Sequence, residues 1–245
     1  MTKIAEPKAS TQRPDINLED LLRNPPKLHR DSLGTLTSWQ LDESALRFIS
    51  RNVKDTSKTM ETGAGTSTIL FALRGACHIC IVPDADQVNR VEEYCAEHHI
   101  STAGVNFIVD RSEIALPLLE VGEIDLVLID GRHAFPTPFI DWYYSSLCLK
   151  VGGLLMIDDI QLWSGKVLRK FLLSEPEWHL HTDLPRTSVF LKLREGSHNK
   201  AWPEQAYLVR RSRSGILSEQ FRFGFRLLRE GKFVTLISGV KKLKK

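Results

Sequence analysis

Three short stretches hold residue types that could do chemistry together. The first is Glu61-Thr62-Gly63-Ala64-Gly65-Thr66-Ser67-Thr68. Glycines let a backbone take positive φ and let a ligand come close. A helix start leaves N–H groups free to face that ligand. The stretch therefore reads as a strand end, a glycine turn and a helix start, with an acid just before the turn. The second stretch is Asp130-Gly131-Arg132-His133, and the third is Asp158-Asp159. Both follow apolar runs that read as buried strands. Clustered carboxylates repel one another unless something positive sits among them. A divalent cation held by Asp130, Asp158 and Asp159, with Mg²⁺ the first choice, meets that need. The plain alternative is that Asp158 or Asp159 caps a loop and binds no metal. Histidine as a residue type titrates near neutrality, so His133 suits removal of a proton from an acceptor oxygen. It lies three residues past Asp130, so both can border one pocket.

The glycine turn has three candidate ligands. A dinucleotide fingerprint needs a third glycine, and position 68 is threonine. A phosphate loop needs a lysine after the last glycine, and none follows Gly65. Glu61 would also repel a phosphate, whereas it suits a cation. S-adenosylmethionine carries an ammonium and a sulfonium and fits that sign.

Positioning these residues takes alternating strands and helices. Strands are expected at 58–61, Cys77–Val82, Val105–Val109, Ile124–Ile129 and 154–157. Helices fall at 67–73, 87–98, near 113–119, through 139–149 and at 166–173. Alternation at this spacing predicts a parallel sheet covered on both faces. Two late strands, 178–181 and 188–193, have little chain between them and predict an antiparallel hairpin at one edge. The fold expected is α/β: a doubly wound, Rossmann-like, mostly parallel seven-stranded sheet with an antiparallel edge strand. The divisions expected are a polar, flexible lead-in over 1–37, the sheet domain over 38–195, and a basic, partly helical appendage over 196–245.

Taken in order, the glycine motif, the strand-end D-G-x-H, the Leu-x-x-Gly-Gly run before Leu154 and the paired acids resemble class I S-adenosylmethionine-dependent methyltransferases. The likeness spans roughly Trp39 to Leu193. It is nearest to the macrocin-type sugar O-methyltransferase branch and more distant from catechol O-methyltransferase. The resemblance implies that Glu61, Gly63, Gly65 and Ser67 hold the cofactor's methionine and ribose portion. It implies that Asp130, Asp158 and Asp159 hold the metal of the metal-binding members, with Asp130 also bordering the cofactor. It makes His133 the general base and Ser112 an adenine contact. One departure stands out: the acid that usually ends the second strand and binds the ribose is replaced by Cys80 or Val82. Asp84, in the next turn, is the substitute. Trp39 is a candidate lid, and 135–139 a candidate wall of the acceptor pocket. The reaction implied is methylation of a hydroxyl on a small molecule or sugar.

The bulk numbers agree with such a domain. The chain has 245 residues, 42% hydrophobic and 26% charged, with a formal charge of +3. That charge alone does not call for a nucleic-acid partner. No apolar run reaches the roughly 18 residues of a membrane span, and the polar start does not read as a signal peptide. Four scattered cysteines fit a reduced, cytoplasmic setting. Cys77 and Cys80 lie three apart on a strand and face opposite ways, which argues against zinc. Beyond Lys200 basic residues dominate, and Ile216, Leu217, Phe221, Phe225 and Leu228 recur at helical spacing. That segment could pack on the domain, join a second copy, or meet a membrane surface or nucleic acid. Two further readings stay open: a binding module that kept the fold without catalysis, and a nucleic-acid methyltransferase guided by the basic tail. Against the latter, the chain has no Asn/Asp-Pro-Pro-Tyr/Phe run.

Overall fold

The computed structural model describes residues 13–196, 198 and 200–229. It divides the chain into two units, Met1–Gly196 and Ser197–Lys245. The first unit opens with α1 (Leu18–Arg23), β1 (His29–Arg30), β2 (Leu36–Thr37) and α2 (Glu43–Asn52). Asn17 caps α1 in a reciprocal box with Asp20, and Asp42 caps α2 by accepting from the Ser44 amide at 2.9 Å. Each cap satisfies an amide that the first helical turn cannot pair internally.

Strand–helix alternation follows: β3 (Lys58–Thr62), α3 (Thr66–Leu73), β4 (Cys77–Val82), α4 (Ala85–Glu97), β5 (Val105–Val109) and α5 (Ser112–Ala115). Then come β6 (Ile124–Ile129), α6 (Thr137–Cys148), β7 (Leu149–Ile157), α7 (Trp163–Leu172), β8 (Trp178–Asp183) and β9 (Ser188–Lys192). The seven longer strands form one sheet in the order β5-β4-β3-β6-β7-β9-β8. β3 to β7 run parallel, and β9 lies antiparallel between β7 and β8. This is the mostly parallel seven-stranded sheet expected, and both members of the late hairpin join it. Parallel strands need both faces covered, and β6 and the second half of β7 are accordingly almost continuously apolar. Leu126, Val127, Leu128, Leu155, Met156 and Ile157 are all buried.

Strand order reverses between β3 and β6. Open α/β sheets bind ligands at such a switch point, beyond the carboxyl ends of the strands. The glycine turn follows β3 there, and Asp130 follows β6.

The described part of the expected lead-in, 13–37, is not loose. Leu21 and Leu28 are buried with Ile69, Val91 and Cys95. The sequence of this segment is polar on average, but its few leucines are spaced to reach the core. Arg90 on α4 donates to the Leu28 carbonyl at 2.8 Å and pins the segment.

The second unit carries α8 (Ala206–Arg229). Arg210, Arg211, Arg213, Arg222, Arg226 and Arg229 are exposed on it. The side chains of Ile216, Leu217, Phe221, Phe225 and Leu228, and the basic run after Glu230, lie outside the described residues. Among the described residues no helix is long and apolar enough to cross a membrane.

Candidate active site

Gly63 sets the geometry at the switch point. Its φ is +91°, in the region that favours glycine, and an added Cβ would lie 2.3 Å from the Asp130 carbonyl oxygen. Only glycine lets the β3 turn pass this close to the end of β6. An added Cβ at Gly65 would instead meet the His29 ring at 3.2 Å. The Ala64 carbonyl between them accepts from His29 Nε2 at 3.0 Å and from the Gln87 amide. His29 Nδ1 accepts from the Trp39 amide at 3.4 Å. The ring is thereby fixed as the neutral Nε2–H tautomer, and burial holds its pKa below the ordinary value.

Glu61, the last residue but one of β3, lies on the buried side of this turn. Its carboxylate accepts from Ser67 Oγ at 2.7 Å, from Thr68 Oγ1, and from His78 Nε2 at 3.1 Å. His78 also pairs through Nδ1 with Thr59 Oγ1 at 2.8 Å and stacks on Phe71. Glu61 is 1% exposed, so a ligand in the cleft does not touch it. A buried carboxylate is tolerable only with such partners. Here they tie β3, β4 and the first turn of α3 together. The Ser67 hydroxyl is spent on Glu61, while the residue still lines the cleft. Asp84 is also away from the cleft. It caps α4 by accepting from the Asp86 amide and pairs with Arg90 at 3.1 Å.

Two adjoining clefts open at this end of the sheet. One, of about 480 Å³, runs along the turn 63–67, the end of β4 at Ile81–Pro83, Gln87 and Ser112. The other, of about 630 Å³, is walled by Asp42, Glu43, Asp158, Asp159 and Arg186. Trp39, Gln40, Leu41, Asp130 and His133 line both. Ser38 Oγ and Gln40 Oε1 are buried there without a hydrogen-bond partner. Trp39, 59% exposed, lies across the boundary between the two. Phe135 lines neither. It is exposed and packs edge-on against Phe139 and Trp163.

Asp130, His133 and the acid pair do meet. His133 Nε2 lies 3.2 Å from Asp159 Oδ2 and 3.9 Å from Asp130 Oδ1. Asp159 takes φ of +51°, which aspartate tolerates better than most residues. Gly165 allows this bend, because a Cβ there would come within 2.7 Å of the Asp159 carbonyl oxygen. Asp159 is held by Arg186 and by Gln161 at 2.7 Å, and these donors keep its pKa below the carboxylate norm against the cost of burial. Burial chiefly, and then the Asp158 charge, pushes Asp130 well above that norm. Burial raises Asp158 too, against the hydrogen bond from Thr187. The cluster therefore divides its carboxyls: Asp159 favours the charged form, and Asp130 and Asp158 resist it.

This donor set does not suit a divalent ion. Among the described residues, ligand atoms that all approach within 4.8 Å of one another are those of Glu61, His78 and Cys80, not of the three aspartates. Both Asp159 oxygens and one of Asp158 already face protein donors. The residues fit S-adenosylmethionine better. The smaller cleft offers the glycine turn, the start of α3, Gln87 and Ser112, with Asp130 at its inner end.

Arg186, Gln87 and His29 were not singled out by their sequence context, and His78 only as part of the Cys77–Cys80 stretch that was weighed for zinc. His78 had a signal: in the parallel register Thr59 faces His78 and Glu61 faces Cys80, so all four share one side of the sheet.

Residues 60–160 match the family described as a methyltransferase domain. No curated protein matches the chain. Among solved structures, a protein from Corynebacterium glutamicum is 16% identical, with a TM-score of 0.54, covering 65% of this chain and 85% of its own. Cofactor-bound Rv0187 from MTB is 14% identical, with a TM-score of 0.55, covering 65% and 84%. The O-methyltransferase TomG from Streptomyces achromogenes, involved in tomaymycin synthesis and solved with S-adenosylmethionine, is 13% identical. Its TM-score is 0.52, with 65% and 84% covered. At these identities the likeness is one of fold. The family match covers residues 60–160, from within β3 to just past β7.

Proposed function

We propose that the chain transfers a methyl group from S-adenosylmethionine to a hydroxyl oxygen of a small molecule or sugar. The observation that carries this reading is that His133 and Asp130 line both clefts. One cleft has the glycine turn and helix start suited to the cofactor. The other has room for a separate acceptor.

When bound, the cofactor supplies an activated methyl on a sulfonium. The backbone of 63–67 and Ser112 would hold it, and Asp130 would face its cationic end. The end of β4 has Ile81, Val82 and Pro83 in the cleft, so Gln87 is the polar side chain nearest the role left by the missing ribose acid. An acceptor oxygen in the larger cleft must lose a proton. His133 would take it, with Asp159 and Asp130 beside its Nε2 to favour the proton there. Trp39 lines both clefts, where it would flank the bound cofactor and acceptor. That TomG is an O-methyltransferase on the same fold supports oxygen as the acceptor atom.

The test follows labelled methyl from S-adenosylmethionine into a panel of sugars and hydroxylated small molecules. Wild type should label at least one class. His133→Gln should lower transfer about 100-fold or more, the scale of general base catalysis, while S-adenosylhomocysteine affinity stays within about twofold. Equal transfer by the two proteins would remove His133 from the account.

A further inference from the structure

The acid cluster in the larger cleft already contains a cation. β8 and β7 are each antiparallel to β9, so the β8–β9 turn arrives at the same end of the sheet as Asp158 and Asp159. That turn presents Arg186 and Thr187. It is well anchored: the Ile160 amide donates to the Arg186 carbonyl at 3.0 Å, and Leu184 to the Thr187 carbonyl at 2.9 Å. Arg169 on α7 holds the strand ends through Ser188 at 2.8 Å and through Asp183. From this base the Arg186 guanidinium pairs with Asp159, and the buried Thr187 hydroxyl donates to Asp158.

A Mg²⁺ ion demands near-octahedral oxygen ligands with free lone pairs. To bind Asp159 here it would have to displace Arg186, Gln161 and His133, and Asp158 would offer it only the oxygen that Thr187 leaves free. A guanidinium keeps its charge at any working pH and carries five N–H donors in a rigid fork. Asp159 engages the Nη2 end, and the side chain is 46% exposed at the cleft wall. Donors therefore remain for a ligand. A fixed positive charge beside an acceptor hydroxyl orients it and favours its deprotonation, two effects otherwise supplied by a bound metal.

We propose that Arg186 occupies the place of a divalent cation in this cluster, so that the acceptor oxygen is held by its guanidinium and the site works without metal. The acceptor half of this statement rests on the methyl-transfer reading; the metal half stands without it.

The experiment titrates Mn²⁺ into the full chain and follows the free ion by its paramagnetic resonance signal. Wild type should leave that signal undiminished, and Arg186→Lys should behave the same way. Arg186→Gln frees Asp159 and should raise Mn²⁺ affinity at least about tenfold. Adding Asp159→Asn to that variant should abolish the gain. Wild-type binding that disappears in Asp159→Asn overturns the proposal. So does an Arg186→Gln protein with an unchanged circular dichroism spectrum and no gain in affinity. If Arg186→Gln does not fold, the wild-type titration decides alone. Because no cofactor is used, S-adenosylhomocysteine binding measured in parallel separates a failure of this proposal from a failure of the methyl-transfer reading.

Discussion

Asp141 on α6 is a buried carboxylate whose removal should stabilise the protein, by an amount that depends on pH. It is fully buried and accepts a hydrogen bond from Thr62 Oγ1 at 3.0 Å, at the carboxyl end of β3. Burial raises its pKa from 3.8 to about 6, against hydrogen bonds from Ser112 and Thr62 that favour the charged form. The sign follows from linkage. The folded protein holds the proton more tightly than the unfolded chain, so stability is full below pH 3.8 and is lost as pH rises to about 6. Above that the loss is constant. At about 1.4 kcal/mol per tenfold change in the proton equilibrium, the loss is about 1.6 kcal/mol at pH 5 and about 3 kcal/mol at pH 8. Asp141→Asn removes the charge and leaves an amide oxygen to accept from Thr62 Oγ1. The variant should gain stability over wild type, with the gain larger by about 1.4 kcal/mol at pH 8 than at pH 5. Urea denaturation of both proteins at the two pH values measures this directly. A gain that is the same at both, or that is larger at pH 5, refutes the reasoning.

Two further outcomes follow from the positions around the clefts. Gly63→Ala forces a side chain into positive φ and against the Asp130 carbonyl, which should cost about 2–4 kcal/mol from backbone strain and overpacking. It should also abolish S-adenosylhomocysteine binding, so a variant as stable as wild type by urea denaturation contradicts this geometry. His29 is buried in its neutral form with a lowered pKa, so its support for the segment around Trp39 is full above about pH 6.5 and is lost as pH falls below that value. Amide exchange at Trp39, corrected for intrinsic rates, should show less protection at pH 5.5 than at 7.5; equal protection refutes the coupling.

Much of the sheet was legible because its signals are local. The apolar runs before Asp130 and Asp158 each announce a strand, the glycine turn announces the end of β3, and the residue types just after them mark the end at which ligands bind. What was not legible comes from residues brought together by topology. Arg186 looks like an ordinary turn residue until β9 is placed antiparallel between β7 and β8. Only then does its turn reach Asp159. Glu61 is read as the end of β3, which runs one residue further to Thr62, and the sequence does not show that His78 on β4 satisfies it from the neighbouring strand. Asp84 stands at the expected distance for a ribose ligand, yet its local role as helix cap and its pairing with Arg90 use its oxygens. The polar composition of 13–37 hid Leu21 and Leu28, since two leucines weigh little in an average and a great deal in a core.

The central claim is that the turn 63–67 is one wall of a cofactor site shared with Asp130 and His133. Calorimetric titration of S-adenosylhomocysteine into the full chain tests it most directly. Saturable binding with one site per chain, retained in His133→Gln and lost in Gly63→Ala, is the result expected. Absence of any binding heat across temperatures, with the protein folded, would contradict it.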